Sequence, residues 1–184
     1  MQRDILKAGV KPALEEVLKT RENRARFQET LAEKYPGKTV IAFKLNIPGP
    51  VKNNKVIEDI FSIGMEDLME ELSAYKVSIL YKKTVDLSTG PEAFYVADLH
   101  LYNVKKLMIH LEDEKVLGRL YDFDVFSSEN DKVVTRSRGE IGYEDRKCLV
   151  CSKPARVCGR NRTHSIDEMH ERIIELLQNE PRLK

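Results

Sequence analysis

No stretch of this sequence has the continuous apolar length of a membrane-spanning helix, and its amino end lacks the apolar core of a signal peptide. Neither sign of charge dominates. The 31 Lys and Arg residues nearly cancel the 30 Asp and Glu residues, so bulk charge calls for neither nucleic acid nor a membrane surface. Cysteine is scarce: three residues, all between Cys148 and Cys158, an odd clustered set unlike a secreted disulfide framework. Internal repeats and low-complexity tracts are missing as well. These absences predict a cytoplasmic chain with no membrane partner. Its 184 residues suit one domain, or a main domain with an appendage, and can bury a core without staples.

Periodicity predicts helices over Pro12–Tyr35, Ile57–Tyr75, Tyr102–Leu111 and Ser165–Gln178, the last with a Ser165/Glu168 capping box. In the first helix, Leu14, Val17, Leu18, Phe27 and Leu31 form an interrupted apolar stripe. Arg21, Arg24 and Gln28 cluster beside it at spacings of three and four, as an anion-facing edge or as a solvated face. Strands are expected over Thr39–Leu45, Val77–Lys82, Ala93–Leu99 and Leu120–Phe126, with a return strand from Lys132 to Arg136 after a turn at Ser128-Glu129-Asn130-Asp131. His110 reads as a partly solvated helix residue, and His100 has no identifiable partner. Hairpins outnumber clear βαβ units, which points to an α+β fold with a mixed or antiparallel sheet and packed helices. Composition changes near Gly139–Gly142. The catalytic candidates then lie in an α+β region over 1–142, and a Cys/His module with the C-terminal helix, over 143–184, belongs to the same domain.

The chain is organised around Gly118-Arg119-Leu120-Tyr121-Asp122-Phe123-Asp124-Val125-Phe126. Period two puts Asp122 and Asp124 on one face with Leu120 and Phe126, and Tyr121, Phe123 and Val125 on the other. Two carboxylates pointing the same way repel unless a cation or basic side chain compensates. A shared magnesium ion makes such a pair useful with phosphate substrates; a strand near a sheet edge with both aspartates in water is the plain alternative. The returning hairpin would bring Arg136 and Arg138 back toward the start of the aspartate strand, where guanidinium groups serve phosphate oxygens. The loop Asn46-Ile47-Pro48-Gly49-Pro50-Val51-Lys52-Asn53-Asn54 is stiff and can offer Lys52 and backbone N–H groups to phosphates. It lacks the ending of a Walker A loop, and an ordinary tight connection fits it equally.

Cys148, Cys151, Cys158 and His164 supply three thiols and one imidazole within 17 residues. Cys3His is a common structural zinc set. A redox C-x2-C pair and reduced, metal-free cysteines are the other readings. Zinc bound by all four would tie the tail to the domain and leave no open position for chemistry. Arg146, Lys147, Lys153, Arg156, Arg160 and Arg162 make a local positive patch around it.

Together these segments resemble the holo-citrate lyase synthase family across nearly the whole length. The resemblance is carried by Arg21-Glu22-Asn23-Arg24 with Gln28, by Asn46 through Asn53, by Gly118 through Val125, by Ser137-Arg138, and by Arg146-x-Cys148-x2-Cys151-x3-Ala155-x2-Cys158-x-Arg160-x3-His164. One departure is Lys115-Val116-Leu117, where family members often carry His-Pro-Leu; this speaks against a general base there. The resemblance implies transfer of the phosphoribosyl-dephospho-CoA group from 2'-(5-triphosphoribosyl)-3'-dephospho-CoA to a serine of the citrate lyase acyl-carrier subunit, with release of diphosphate. Such chemistry is that of a nucleotidyltransferase, and a nucleotidyltransferase-like, palm-type sheet is one form the α+β fold could take, although D-x-D alone does not establish it. Under this reading Asp122 and Asp124 hold magnesium and, with Arg119, form the catalytic set. Arg21, Arg24, Asn46, Lys52, Asn53, Arg136 and Arg138 bind substrate, and the Cys3His set holds structural zinc. Competing classes are another metal-dependent nucleotidyltransferase, a non-enzymatic zinc-dependent module binding RNA or protein, and a structural partner of the lyase.

Overall fold

The strand carrying both aspartates lies within a sheet, next to its centre. A computed structural model describes residues 5–130 and 132–183; Asp131, from the expected turn, lies outside them. The strands are β1 (Thr39–Leu45), β2 (Ile79–Val85), β3 (Glu92–Ala97), β4 (Tyr121–Glu129) and β5 (Lys132–Thr135). They form one sheet in the order β2-β3-β1-β4-β5, with every neighbouring pair antiparallel. The α+β expectation with an antiparallel sheet is borne out. Because β5 covers only Phe126–Glu129, the first half of β4 has no strand on its outer side. Side chains serve those backbone groups instead. Glu112 accepts from the Phe123 amide (3.3 Å), Arg146 donates to the Tyr121 carbonyl (2.8 Å), and the Thr135 hydroxyl donates to the Val125 carbonyl (2.8 Å).

Period-two alternation divides the sheet into two unlike faces. Ile41, Phe43, Tyr95, Tyr121, Phe123 and Val125 point into the main core, where α2 (Lys55–Ala74), α3 (Leu101–Glu114) and α5 (Ile166–Asn179) pack. Phe43 is its hub: it stacks on Phe61 and Phe123 with centroids 4.9 and 4.6 Å away. On the opposite face, Val40, Ala42, Phe94 and Val96 meet Leu31 and Ala32 of α1 (Leu14–Lys34). Only the second half of α1 is engaged there. Leu14 and Leu18, the N-terminal members of the interrupted stripe, are 74% and 48% exposed and stay outside that packing. Beyond α1, the sheet face becomes polar. That polar end is where the site lies.

Several element ends differ from expectation for local reasons. Asn54, the last residue of the stiff loop, caps α2 by accepting from the Ile57 amide at 2.9 Å, so the helix starts at Lys55. At its other end Lys76 takes a left-handed φ of 55°, and the amides of Lys76 and Val77 bond the carbonyls of Ser73 and Leu72. Val77 thus completes a helix cap, and β2 begins only at Ile79. His100 finds its partner as the cap of α3, its ring Nδ1 accepting from the Tyr102 amide at 3.3 Å. Leu120, expected on the strand, instead closes a short 3-10 turn over Gly118–Leu120 and enters the main core. Gly118 is required at that turn: a Cβ there would come within 2.2 Å of the Leu111 carbonyl oxygen. The short helix α4 (Ala155–Asn161), inside the Cys/His segment, was not foreseen. Its seven residues include a glycine and lack an apolar repeat. The capping box of α5 forms as expected, and no helix among the described residues is long and apolar enough to cross a membrane.

Candidate active site

Antiparallel pairing puts Lys44 of β1 directly opposite Asp122, with Ala42 opposite Asp124. The Lys44 ammonium reaches both acids, 2.6 Å from Asp122 Oδ2 and 2.8 Å from Asp124 Oδ2. The compensating cation that a paired-carboxylate strand requires is therefore built in. Burial works to lower the Lys44 pKa, but the charges of Asp122 and Asp124 and their hydrogen bonds outweigh it, and the ammonium is held above the ordinary lysine range. Lys44 was not among the candidates. Its signal was a single cation near the end of an otherwise apolar strand, meaningful only once β1 and β4 are known to be neighbours. The aspartate side chains remain 34% and 44% exposed, open enough to accept a further ligand.

Beside this cluster is a small cleft of about 120 Å³ lined by Arg24, Lys44, Asn46, Lys52, Gly90 and Glu92. Arg24, on the sheet-facing side of α1, donates to Glu92 at the start of β3. Glu92 is nearly buried, and burial holds its carboxyl above the usual carboxylate range against the opposing pull of Arg24 and Lys44. It is a second residue that the sequence did not single out. Lys52 donates to the Ile47 carbonyl at 3.0 Å and makes no ion pair among the described residues. Burial alone lowers its pKa. An ammonium held partly dry without a counter-charge is ready for an anion.

The remaining candidates divide by place. Asn53 is buried and structural, its amide donating to Asp86 (3.1 Å) and to the Leu87 carbonyl (3.0 Å), which clamps the β2–β3 loop to the stiff loop. Asn46 is exposed and lines both the small cleft and a larger neighbouring cavity. Arg21 is exposed and carries no ion pair among the described residues. Arg136 and Arg138 do not join the aspartates. β5 stops at Thr135, opposite Phe126. Arg136 turns to Glu129 (3.4 Å), and Arg138 bonds Glu112 (2.6 Å) and Asp113 (2.9 Å) of α3, against the other sheet face. The hairpin formed, but acids elsewhere claimed both guanidinium groups.

Cys148, Cys151, Cys158 and His164 converge, with their ligand atoms all within 4.8 Å of one another. Cys151 Sγ lies 3.5 Å from Cys158 Sγ and 3.3 Å from His164 Nε2. Three thiols and an imidazole at such spacing fit a metal that prefers four soft or borderline donors. The cluster is anchored to β4. Arg146 donates to the carbonyls of Gly118 (3.2 Å), Arg119 (2.7 Å) and Tyr121 (2.8 Å), while Arg119 donates back to the Lys147 carbonyl. From α5, buried His170 donates Nε2–H to the Pro48 carbonyl at 2.9 Å and packs under Gly49. Gly49, at φ 101°, has the backbone freedom this contact needs. Between the stiff loop, the entry to β4 and the Cys/His segment opens a cavity of about 660 Å³.

A profile of the family described as "CitX: Apo-citrate lyase phosphoribosyl-dephospho-CoA transferase" matches residues 12–180. The chain is 36% identical over 176 residues to "Protein CitXG" of Leuconostoc mesenteroides subsp. cremoris, an alignment covering 96% of this chain but 37% of that protein. It is 36% identical over 179 residues to the "Probable apo-citrate lyase phosphoribosyl-dephospho-CoA transferase" of Streptococcus pyogenes serotype M3, covering 97% of this chain and 92% of the relative. With the "Apo-citrate lyase phosphoribosyl-dephospho-CoA transferase" of Escherichia coli O1:K1 / APEC it shares 29% identity over 167 residues, covering 91% and 89%.

Proposed function

The chain belongs to the apo-citrate lyase phosphoribosyl-dephospho-CoA transferase family, and from that membership we propose an enzyme that moves a phosphoribosyl-dephospho-CoA group onto a serine of the citrate lyase acyl-carrier subunit. The donor is 2'-(5-triphosphoribosyl)-3'-dephospho-CoA, the serine oxygen forms a new bond to its α-phosphorus, and diphosphate leaves. The observation that carries this reading is the Lys44–Asp122–Asp124 cluster bordering a cleft that holds a partly buried Lys52 with no ion pair among the described residues.

Phosphoryl chemistry of this kind rests on positioning and charge stabilisation. Lys52 and Arg24, both on the lining of the cleft, bind the β- and γ-phosphates, which give Lys52 the counter-charge that no described residue supplies. Glu92 holds Arg24 at the wall and keeps its guanidinium aimed inward. Lys44 fixes the two carboxylates on one side and lies in reach of the phosphates. Arg119 lines the larger neighbouring cavity. Asp122 and Asp124 are the residues that would hold Mg2+; their common direction and partial exposure fit it. When bound, the ion neutralises the phosphates and lowers the pKa of a coordinated hydroxyl. The Cys3His cluster would hold Zn2+, a structural role for a set with four protein ligands. Arg136, Arg138 and Asn53 serve the scaffold under this reading.

The test combines purified acyl-carrier subunit, the triphosphate donor and magnesium, following diphosphate release and carrier mass together. A donor-sized mass gain coupled to diphosphate, lost in Asp122→Asn and in Asp124→Asn, is the expected outcome. An unmodified carrier with folded, metal-replete protein overturns the reading.

A further inference from the structure

The donor has two ends, and the cleft beside the aspartates accommodates only one. About 120 Å³ suits the phosphates. The adenosine, diphosphate and pantetheine arm needs a larger space continuous with it. The neighbouring cavity of about 660 Å³ falls within the roughly 300–1,000 Å³ typical of small-molecule sites. Asn46 belongs to both linings, and its backbone amide is tied to the Leu120 carbonyl at 2.9 Å, two residues before Asp122. The two spaces therefore meet at the mouth of β4.

The chemistry of the larger cavity is mixed in a useful way. Pro48, Leu149, Ile166 and Met169 supply aliphatic walls. Arg119 and Arg162 supply charge, and neither makes an ion pair with a carboxylate among the described residues. Burial and the nearby Arg146 and Arg138 disfavour the charge of Arg119, and Asp113 and Cys148 offset them only in part. An incoming anion relieves that crowding. Arg162 holds a left-handed φ of 47° at the end of α4. There it is kept on the cavity wall by the cap of the helix whose Cys158 belongs to the metal cluster.

We infer that this cavity is the binding site for the dephospho-CoA arm of the donor, with Arg119 and Arg162 on its diphosphate and the Cys/His segment forming the wall. The assignment rests on the transferase reading above and deepens it. It gives the metal cluster a second consequence: a cluster that was expected to tie down a tail also shapes the substrate site.

The experiment uses dephospho-CoA itself as the probe, titrated calorimetrically into the full-length, metal-replete protein. Ile166→Trp fills the cavity from a position already 45% exposed. Arg162→Asn removes the charge while tolerating the left-handed backbone. Saturable binding to the unaltered protein, weakened about tenfold or more by each substitution and kept within about twofold in Asp122→Asn, is the expected pattern. Binding that ignores both cavity substitutions overturns the assignment, as does a protein that transfers from the full donor without binding dephospho-CoA. The two readings fail separately. Cavity-dependent binding with an unmodified carrier removes the transferase reading alone, whereas normal KM for the donor in both cavity variants removes the cavity assignment alone.

Discussion

Replacing Lys44 by methionine isolates the electrostatics of the aspartate pair. Methionine retains much of the aliphatic length of lysine but lacks the ammonium that contacts Asp122 at 2.6 Å and Asp124 at 2.8 Å. Two charge-assisted contacts are lost, and two carboxylates on one face are left to repel. With the acids 34% and 44% exposed, solvent screens each contact to about 1 kcal/mol, so the variant should be about 2 kcal/mol less stable. For 184 residues that is a fall of about 4–8 °C in Tm. Millimolar magnesium should restore about half of it, because the ion takes the place of the lost ammonium, while shifting the unaltered protein by less than about 1 °C as long as the donor, whose phosphates would complete the magnesium site, is left out. Asp122→Asn combined with Lys44→Met should remove the magnesium response. Thermal unfolding followed by circular dichroism at several magnesium concentrations reads all three. A Lys44→Met protein as stable as the parent, or one blind to magnesium, would refute the idea that these acids form a cation site that Lys44 fills from within.

Lys52 gives a prediction with the opposite sign. Burial lowers its folded pKa beneath the ordinary 10.5, so its charge costs stability that is fully charged below the folded pKa and vanishes as the pH rises past 10.5. Lys52→Met should therefore raise the Tm of the free protein at neutral pH, narrow that gain at alkaline pH, and abolish stabilisation by inorganic triphosphate; a lowered Tm at neutral pH would contradict this. Stripping the Cys3His cluster with a chelator, or substituting Cys151→Ser, should release about one zinc per chain and lower stability by several kcal/mol, as mass spectrometry and calorimetry would register. A stripped protein with unchanged Tm would rule out a structural metal. Gly118→Ala drives a Cβ to 2.2 Å from the Leu111 carbonyl oxygen and 2.8 Å from that of Glu112, and should cost about 2–3 kcal/mol by shifting the turn that feeds β4. Urea titration would measure it, and a loss under about 0.5 kcal/mol would show that the turn adapts freely.

Patterns of short range were legible without a structure. Alternation alone put Asp122 and Asp124 on one face and Tyr121, Phe123 and Val125 in the core, because a strand's period is a property of its own backbone. The capping box at Ser165–Glu168 and the convergence of Cys148, Cys151, Cys158 and His164 are local in the same sense, with partners three to seven residues apart along most of their span. Strand neighbours were beyond that range. Lys44 became the partner of both aspartates only because β1 lies between β3 and β4, a pairing across about 80 residues that no local period encodes. Arg136 and Arg138 show the reverse: adjacency in a hairpin was readable, but the competition among acids was not, and Glu129, Glu112 and Asp113 took both guanidinium groups. The exposed start of α1 has a similar origin, since an apolar stripe records only what a helix can bury. What the chain itself determined was which way its side chains point. Only tertiary packing decided what each one meets, because charge pairing and cavities depend on distances between segments that the backbone brings together last.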